Sequence, residues 1–196
     1  MTLRQIFLKS IYPLWMFYNK LAGRRSKILK NKTKLPPPQS FYNLSVQLNN
    51  GTELSFDSFK GKKVLLVNTA SDCGYTNQYN DLQKLFEAQN QHLVVIGFPA
   101  NDFKEQEKGS DKDIAEFCKI NFGVNFPLAA KSSVIKGQQQ NSVFRWLTDK
   151  TKNGWTNKQP SWNFSKWLVN EEGTLTYYFD PSISPLSEVV KQAIQG

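Results

Sequence analysis

Cys73 is the first of two cysteines and stands in Ala70-Ser71-Asp72-Cys73-Gly74-Tyr75-Thr76. It follows the apolar run Val64-Leu65-Leu66-Val67 and precedes a helical pattern in Tyr79, Leu82, Leu85 and Phe86. A strand passing into a helix puts that loop at the carboxyl edge of an α/β sheet, where such proteins hold their sites. A thiol at a helix N-terminus meets unpaired N–H groups and the positive end of the helix dipole, which favour the thiolate. Such a thiolate is nucleophilic without a histidine partner. An inert buried cysteine would sit inside a strand or on an apolar helix face, whereas the neighbours of Cys73 are small and polar. Attack on a peroxide further requires side-chain amides or an indole N–H to hold the peroxide and stabilise the leaving alkoxide. The second cysteine, Cys118, falls on the apolar side of a short helix beside Phe117 and by itself reads as a buried spectator.

The inventory excludes other chemistry. One histidine, His92, cannot make an HExxH metal site, and two cysteines cannot make a Cys-rich zinc site or a disulfide-dense scaffold. A Ser-His-Asp or Cys-His site would have to use His92, which reads instead as a surface-loop residue. No metal and no cofactor is expected.

The elements that must carry Cys73 are legible as a layered α/β domain with a mixed sheet. Val46 and Leu48, the Asn50-Gly51 turn, then Leu54 and Phe56 alternate as a hairpin. Val64–Val67 and Leu93–Phe98 read as strands buried on both faces. Ser110-x-x-Asp113 has the form of a capping box opening a helix through Ile120. A helix near Ser142 to Asp149, strands at 167–169 and 175–179 around Glu172-Gly173, and a last helix near Leu186 to Ile194 complete the body.

Charge divides the chain. The first 52 residues hold nine of the 25 basic side chains and none of the 16 acidic ones, so the net charge of +9 belongs to an arm and the remainder is balanced. Nucleic-acid binding is therefore not expected of the body. Residues 3–22 are apolar and aromatic, with Leu3, Phe7, Ile11, Leu14 or Trp15, Tyr18 and Leu21 near helical spacing. The charge-free run from Ser10 to Asn19 is shorter than the roughly 20 residues of a spanning helix, and Pro13 would kink it. Residues 3–34 are therefore expected to contact a membrane surface through an interfacial helix and the basic stretch Arg24 to Lys34. A secretory signal with a poor cleavage site at Leu21-Ala22-Gly23, a mitochondrial presequence and a disordered tail compete with this. The division expected is residues 1–40 as arm and Pro36-Pro37-Pro38 linker, and 41–196 as folded domain. The expected place is the cytoplasm, with membrane association through the arm; periplasm and mitochondrion are alternatives.

Four blocks now resemble one family. VLLVNTASDCGYT (64–76), GFPANDFKEQEKG (97–109), FCKINFGVNFP (117–127) and Trp162-Asn163-Phe164 are similar, in order and spacing, to glutathione peroxidases, with the similarity covering about 41–195. The resemblance implies a thioredoxin fold, a central mixed β-sheet flanked by helices with an N-terminal β-hairpin, and the reduction of hydroperoxides. It implies a catalytic tetrad of Cys73, Gln106, Trp162 and Asn163. Unaided, Gln106 reads as loop surface, Trp162 as a core aromatic and Asn163 as a turn residue. Cys73 stands where many relatives have selenocysteine, and Thr76 stands where a thioredoxin-type CxxC has its second thiol. Cys118 matches the resolving cysteine of thioredoxin-dependent members, which implies a disulfide with Cys73 and local unwinding of 114–120; a structural disulfide is the rival. Asp102, where the family commonly has another residue, is expected to raise the Cys73 pKa. The short segment 133–161 and the lack of an arginine set around the site imply a monomer recycled by thioredoxin, with glutathione as the alternative. A peroxide sensor that passes oxidation from Cys73 to a partner protein would show the same residues.

Overall fold

Val64–Val67 carry no polar side chain because both faces of their strand are covered. In the computed structural model, which describes residues 2–21, 28–33 and 35–196, this run lies in β4 (Lys63–Thr69), buried along its length. Leu65 and Val67 point into one core layer with Tyr79, Leu82, Ile114, Cys118 and Ile194. Val64 and Leu66 point into the other, with Phe41, Phe98, Phe144, Trp146 and Trp167. This alternation on a two-faced strand is why the sequence shows a continuous apolar run.

In chain order the other elements are α1 (Leu3–Leu21), β1 (Ile28–Lys30), β2 (Ser45–Gln47), β3 (Glu53–Ser55), α2 (Gln78–Gln89), β5 (Leu93–Pro99) and α3 (Asp111–Phe122), then α4 (Ser142–Leu147), α5 (Lys150–Asn153), β6 (Lys166–Val169), β7 (Leu175–Phe179) and α6 (Glu188–Gln195). The main sheet has the order β1-β7-β6-β4-β5, with β2 and β3 as a separate hairpin. β4 and β5 run parallel, in register from Lys63↔Leu93 to Thr69↔Pro99; β6 pairs antiparallel to β4 and to β7. This is the expected thioredoxin fold: a mixed sheet flanked by helices.

Two local features fix the face that matters. Ser110 Oγ accepts from Asp113 N while the Asp113 carboxylate accepts from Ser110 N, the capping box read in the sequence, and Gly123 closes α3 at φ 64°. At Gly97 a Cβ would lie 2.6 Å from Leu128 Cδ2, so the glycine leaves room for the Leu128 side chain where the 127–129 segment lies against the edge of β5.

The sheet also begins before residue 41. Ile28–Lys30 pairs antiparallel with β7, Ile28 opposite Phe179, and the buried Asn31 donates its amide to the Leu175 carbonyl at 2.9 Å. The expected break at residue 40 therefore does not separate an arm from the sheet. Three residues on an edge are too few to show a period inside a basic stretch. Pro38 lies against Gly154, and Gln39 donates its N–H to the Lys152 carbonyl. Helix α1 continues through Pro13. Residues 22–27 and 34, which carry Arg24, Arg25, Lys27 and Lys34 of the basic stretch and the Ala22-Gly23 step, lie outside the described residues, as does the Trp15 side chain.

Candidate active site

Three loops meet at one edge of the sheet. β4 ends at Thr69 and leads to Cys73; its parallel neighbour β5 ends at Pro99 and leads to Gln106; the antiparallel β6 begins at Lys166, just after Trp162-Asn163-Phe164. The carboxyl ends of two strands and the amino end of a third thus lie side by side, which brings together residues 90 positions apart.

Specific hydrogen bonds lock the loops. The Asn68 amide, buried at the end of β4, donates to the Trp162 carbonyl at 3.1 Å while its oxygen accepts from Ser165 N at 3.1 Å. Asp72 N donates to the Gln106 carbonyl at 3.0 Å. Ser71 Oγ donates to Glu107 Oε2 at 3.0 Å, and Glu107 N donates to Asn101 Oδ1 at 2.9 Å. Among the described residues, the non-glycine residues with left-handed φ are Lys104, Glu105 and Phe164. All three lie within two residues of Gln106 or Asn163. A side chain forced into that region costs on the order of 1–3 kcal/mol and persists where surrounding contacts over-determine it, characteristically at working sites.

At the centre, Cys73 is only 1% exposed. Its sulfur accepts from Tyr75 N at 3.4 Å, and the Trp162 and Asn163 side chains face it and favour its anionic form. Asn163 also donates its amide to Gln106 Oε1 at 3.0 Å, which leaves the Gln106 Nε2 end as a donor. Trp162 is held by a tilted ring contact with Phe103, centroids 5.4 Å apart. The structure therefore brings Cys73, Gln106, Trp162 and Asn163 into one cluster. His92 is exposed in the turn before β5 and takes no part.

Two expectations about the thiol are corrected. Helix α2 begins at Gln78, five residues after Cys73. The turn between them is held by Thr76 Oγ1, which accepts from Cys73 N and donates to the Ala70 carbonyl. Burial, the largest influence, raises the Cys73 pKa; Tyr75 N, Trp162 and Asn163 pull it down, and Asp72 raises it slightly. The acid that matters is Asp72, not Asp102, whose carboxylate instead accepts from Ser133 Oγ and Val134 N and ties two loops.

Cys118 is buried within α3. Burial pushes its thiol up to about 12, opposed by the Tyr79 hydroxyl beside it and aided by Glu107. Glu107 itself, 1% exposed and elevated by burial to about 7, escaped the sequence reading because it sits in the charged run Lys104–Lys108. Ser71, Asn68, Arg4 and Gln5 escaped it as well, since their partners are distant in sequence.

Fold and site define a class: a thioredoxin-fold thiol protein whose buried sulfur, at the edge of the sheet, is ringed by N–H donors. A DsbF homologue from Corynebacterium diphtheriae shares the fold alone, with a TM-score of 0.60 at 13% identity over 88% of this chain and 92% of that one. The apo form of Trgpx superposes with a TM-score of 0.60 at 30% identity, covering 81% of this chain and 97% of that one. The family model for glutathione peroxidase matches residues 41–148. The glutathione peroxidase homolog BsaA of Staphylococcus epidermidis is 42% identical over 158 residues, 80% of this chain and 98% of that protein. The glutathione peroxidase-like peroxiredoxin 2 of Saccharomyces cerevisiae is 41% identical over 158 residues, 80% of this chain and 96% of that protein. The chain belongs to the glutathione peroxidase family, and its activity is that of a peroxidase, an antioxidant oxidoreductase.

Proposed function

We propose that the protein reduces hydrogen peroxide and organic or lipid hydroperoxides through Cys73, with Cys118 as resolving thiol and thioredoxin as reductant. The observation that carries this is the convergence of Tyr75 N, Trp162 and Asn163 on one buried sulfur, with Gln106 tied to Asn163.

The Cys73 thiolate attacks the distal peroxide oxygen. A sulfur–oxygen bond forms, the O–O bond breaks, and the alkoxide leaves as alcohol after taking a proton, so Cys73 becomes a sulfenic acid. The Gln106 and Asn163 amides and the Trp162 indole stabilise the charge passing from sulfur to oxygen. The Cys118 thiolate then attacks the sulfenic sulfur and expels hydroxide, which takes a proton and leaves as water, giving a disulfide, and two thioredoxin thiols reduce it by exchange. Cys118 lies buried within α3, so residues 114–120 unwind for this step. Thioredoxin rather than glutathione is supported by the presence of Cys118 and by Arg4 being the one arginine beside the Cys73 loop among the described residues.

Peroxide-dependent NADPH consumption with thioredoxin and its reductase tests the reading. Many cycles are expected for the native chain and none for Cys73→Ser. A single cycle that stalls, with Cys73 joined to another protein, would show a sensor instead.

A further inference from the structure

Helix α1 covers the Cys73 loop. Arg4 pairs with the Asp72 carboxylate, and the Gln5 amide donates to the Ser71 carbonyl at 3.2 Å. Gln5 and Leu8 close a cavity of about 10 Å³ whose other walls are Ser71, Cys73, Thr76, Asn77 and Phe122. One turn on, Tyr12 is buried and faces Gln78, Asp81 and Tyr75. Positions 5, 8 and 12 form one helix face, so the contact is continuous. A cavity of that size holds no more than a water molecule, and a hydroperoxide has at least two oxygens. The roomier cavity at this edge, about 450 Å³ beside Arg4, Gln5, Asp72 and Gln106, is not lined by Cys73. With α1 seated, the sulfur is shut off from substrate on this side.

The opposite face of α1 is apolar: Leu3, Phe7, Leu14, Phe17 and Tyr18 are each more than half exposed. Among the described residues no helix is long and apolar enough to cross a membrane, so such a face suits the plane of a lipid surface. The first 52 residues carry nine cations and no carboxylate, which makes an anionic surface the matching partner.

We propose that α1 is a lid over Cys73 that an anionic lipid surface lifts, an inference that rests on Cys73 being the peroxide-reducing thiol. A ligand shifts an equilibrium only by binding one state better. Seated, α1 offers lipid its outer face alone; lifted, it adds Leu8, Ile11 and Tyr12. In water the lifted helix is marginal, because Pro13 interrupts its hydrogen bonding and divides it into stretches shorter than about 12 residues, so it stays seated without lipid. Arg4–Asp72 is a solvent-facing pair and hence a weak latch.

Alkylation of Cys73 by iodoacetamide in the full chain, followed site by site by mass spectrometry, reads lid position whether or not Cys73 reduces peroxide. Phosphatidylcholine vesicles containing phosphatidylglycerol are expected to speed it several-fold over buffer. Arg4→Ser should speed it in buffer. Losing the cation beside Asp72 disfavours the thiolate, so faster reaction there reports access and not charge. Phe17→Glu should keep the buffer rate and lose the vesicle response. The lid is refuted if the vesicles leave Cys73 alkylation unchanged, or if Arg4→Ser reacts no faster than the native chain. Peroxide consumption measured in parallel separates the two claims: alkylation that responds to lipid without peroxide turnover overturns the peroxidase role of Cys73 and leaves the lid standing.

Discussion

A buried sulfur with a raised pKa is a poor nucleophile at rest, yet the groups around Cys73 are placed to serve its anion. Burial is the largest influence and raises the pKa; Tyr75 N, Trp162 and Asn163 lower it. The same burial makes each donor worth more once charge moves toward the leaving oxygen, because no water competes. The rate constant for peroxide oxidation should therefore climb nearly tenfold per pH unit through neutrality, following the thiolate fraction, in stopped-flow fluorescence. A flat profile there would mean that the thiol is already ionised. Trp162→Phe keeps a ring against Phe103 but loses the N–H, and should slow the same step about a hundredfold, the usual effect of removing one such donor. A loss below about threefold would make Trp162 a packing residue. Left-handed φ values at Lys104, Glu105 and Phe164 show the backbone held under strain to present Gln106 and Asn163.

At the scale of elements, α3 is a well-made helix and, in the proposed cycle, the obstacle to resolution. Its capping box and the αL turn at Gly123 stabilise the segment that, in the proposed cycle, opens to let Cys118 reach Cys73. Ser110→Ala removes the cap and should cost about 1 kcal/mol in urea denaturation. Because that cost falls on the closed helix, disulfide formation after peroxide should speed up about fivefold. Unchanged disulfide kinetics in a destabilised variant would show that α3 does not open. The box at Ser110 and Asp113 was legible in the sequence, as were β4, β5 and the β6–β7 hairpin, because each is specified by residues close together in the chain. The helical pattern from Tyr79 onward was legible and lies in α2, but the turn that the Thr76 hydroxyl holds, and that sets Cys73 five residues ahead of the helix, was not. The docking of α1 was not legible at all: Arg4 and Asp72 are 68 residues apart, and apolar spacing does not say which surface it will meet. The tetrad itself came from family resemblance, since Gln106 and Trp162 look ordinary singly.

For the whole molecule, two buried ionisable groups give opposite pH slopes. Glu107 is raised by burial to about 7. The native state thus keeps its proton where the unfolded chain has lost it, and stability falls as pH rises from the free carboxylate range to about 7. Lys166, fully buried with its ammonium donating to Gln78 Oε1 and the Phe164 carbonyl, is lowered by burial to about 7. There the unfolded chain binds the extra proton, so stability rises from pH 7 until the buried thiols begin to oppose it near the free-thiol value of about 8.5. A shallow minimum near neutrality is expected in denaturant midpoints against pH. Glu107→Gln should flatten the acid limb and Lys166→Met the alkaline one; a limb surviving its substitution would contradict that assignment. Reaction and stability thus draw on the same sheet edge, where Glu107 and Lys166 flank the loops that carry Cys73 and Asn163. The most direct test of the catalytic cycle is mass spectrometry of the full chain after one equivalent of hydrogen peroxide. The account predicts a Cys73–Cys118 disulfide, lighter by two hydrogens, with the peroxide consumed. Unreacted peroxide over two free thiols, or oxidation at Cys73 that never reaches Cys118, would contradict it.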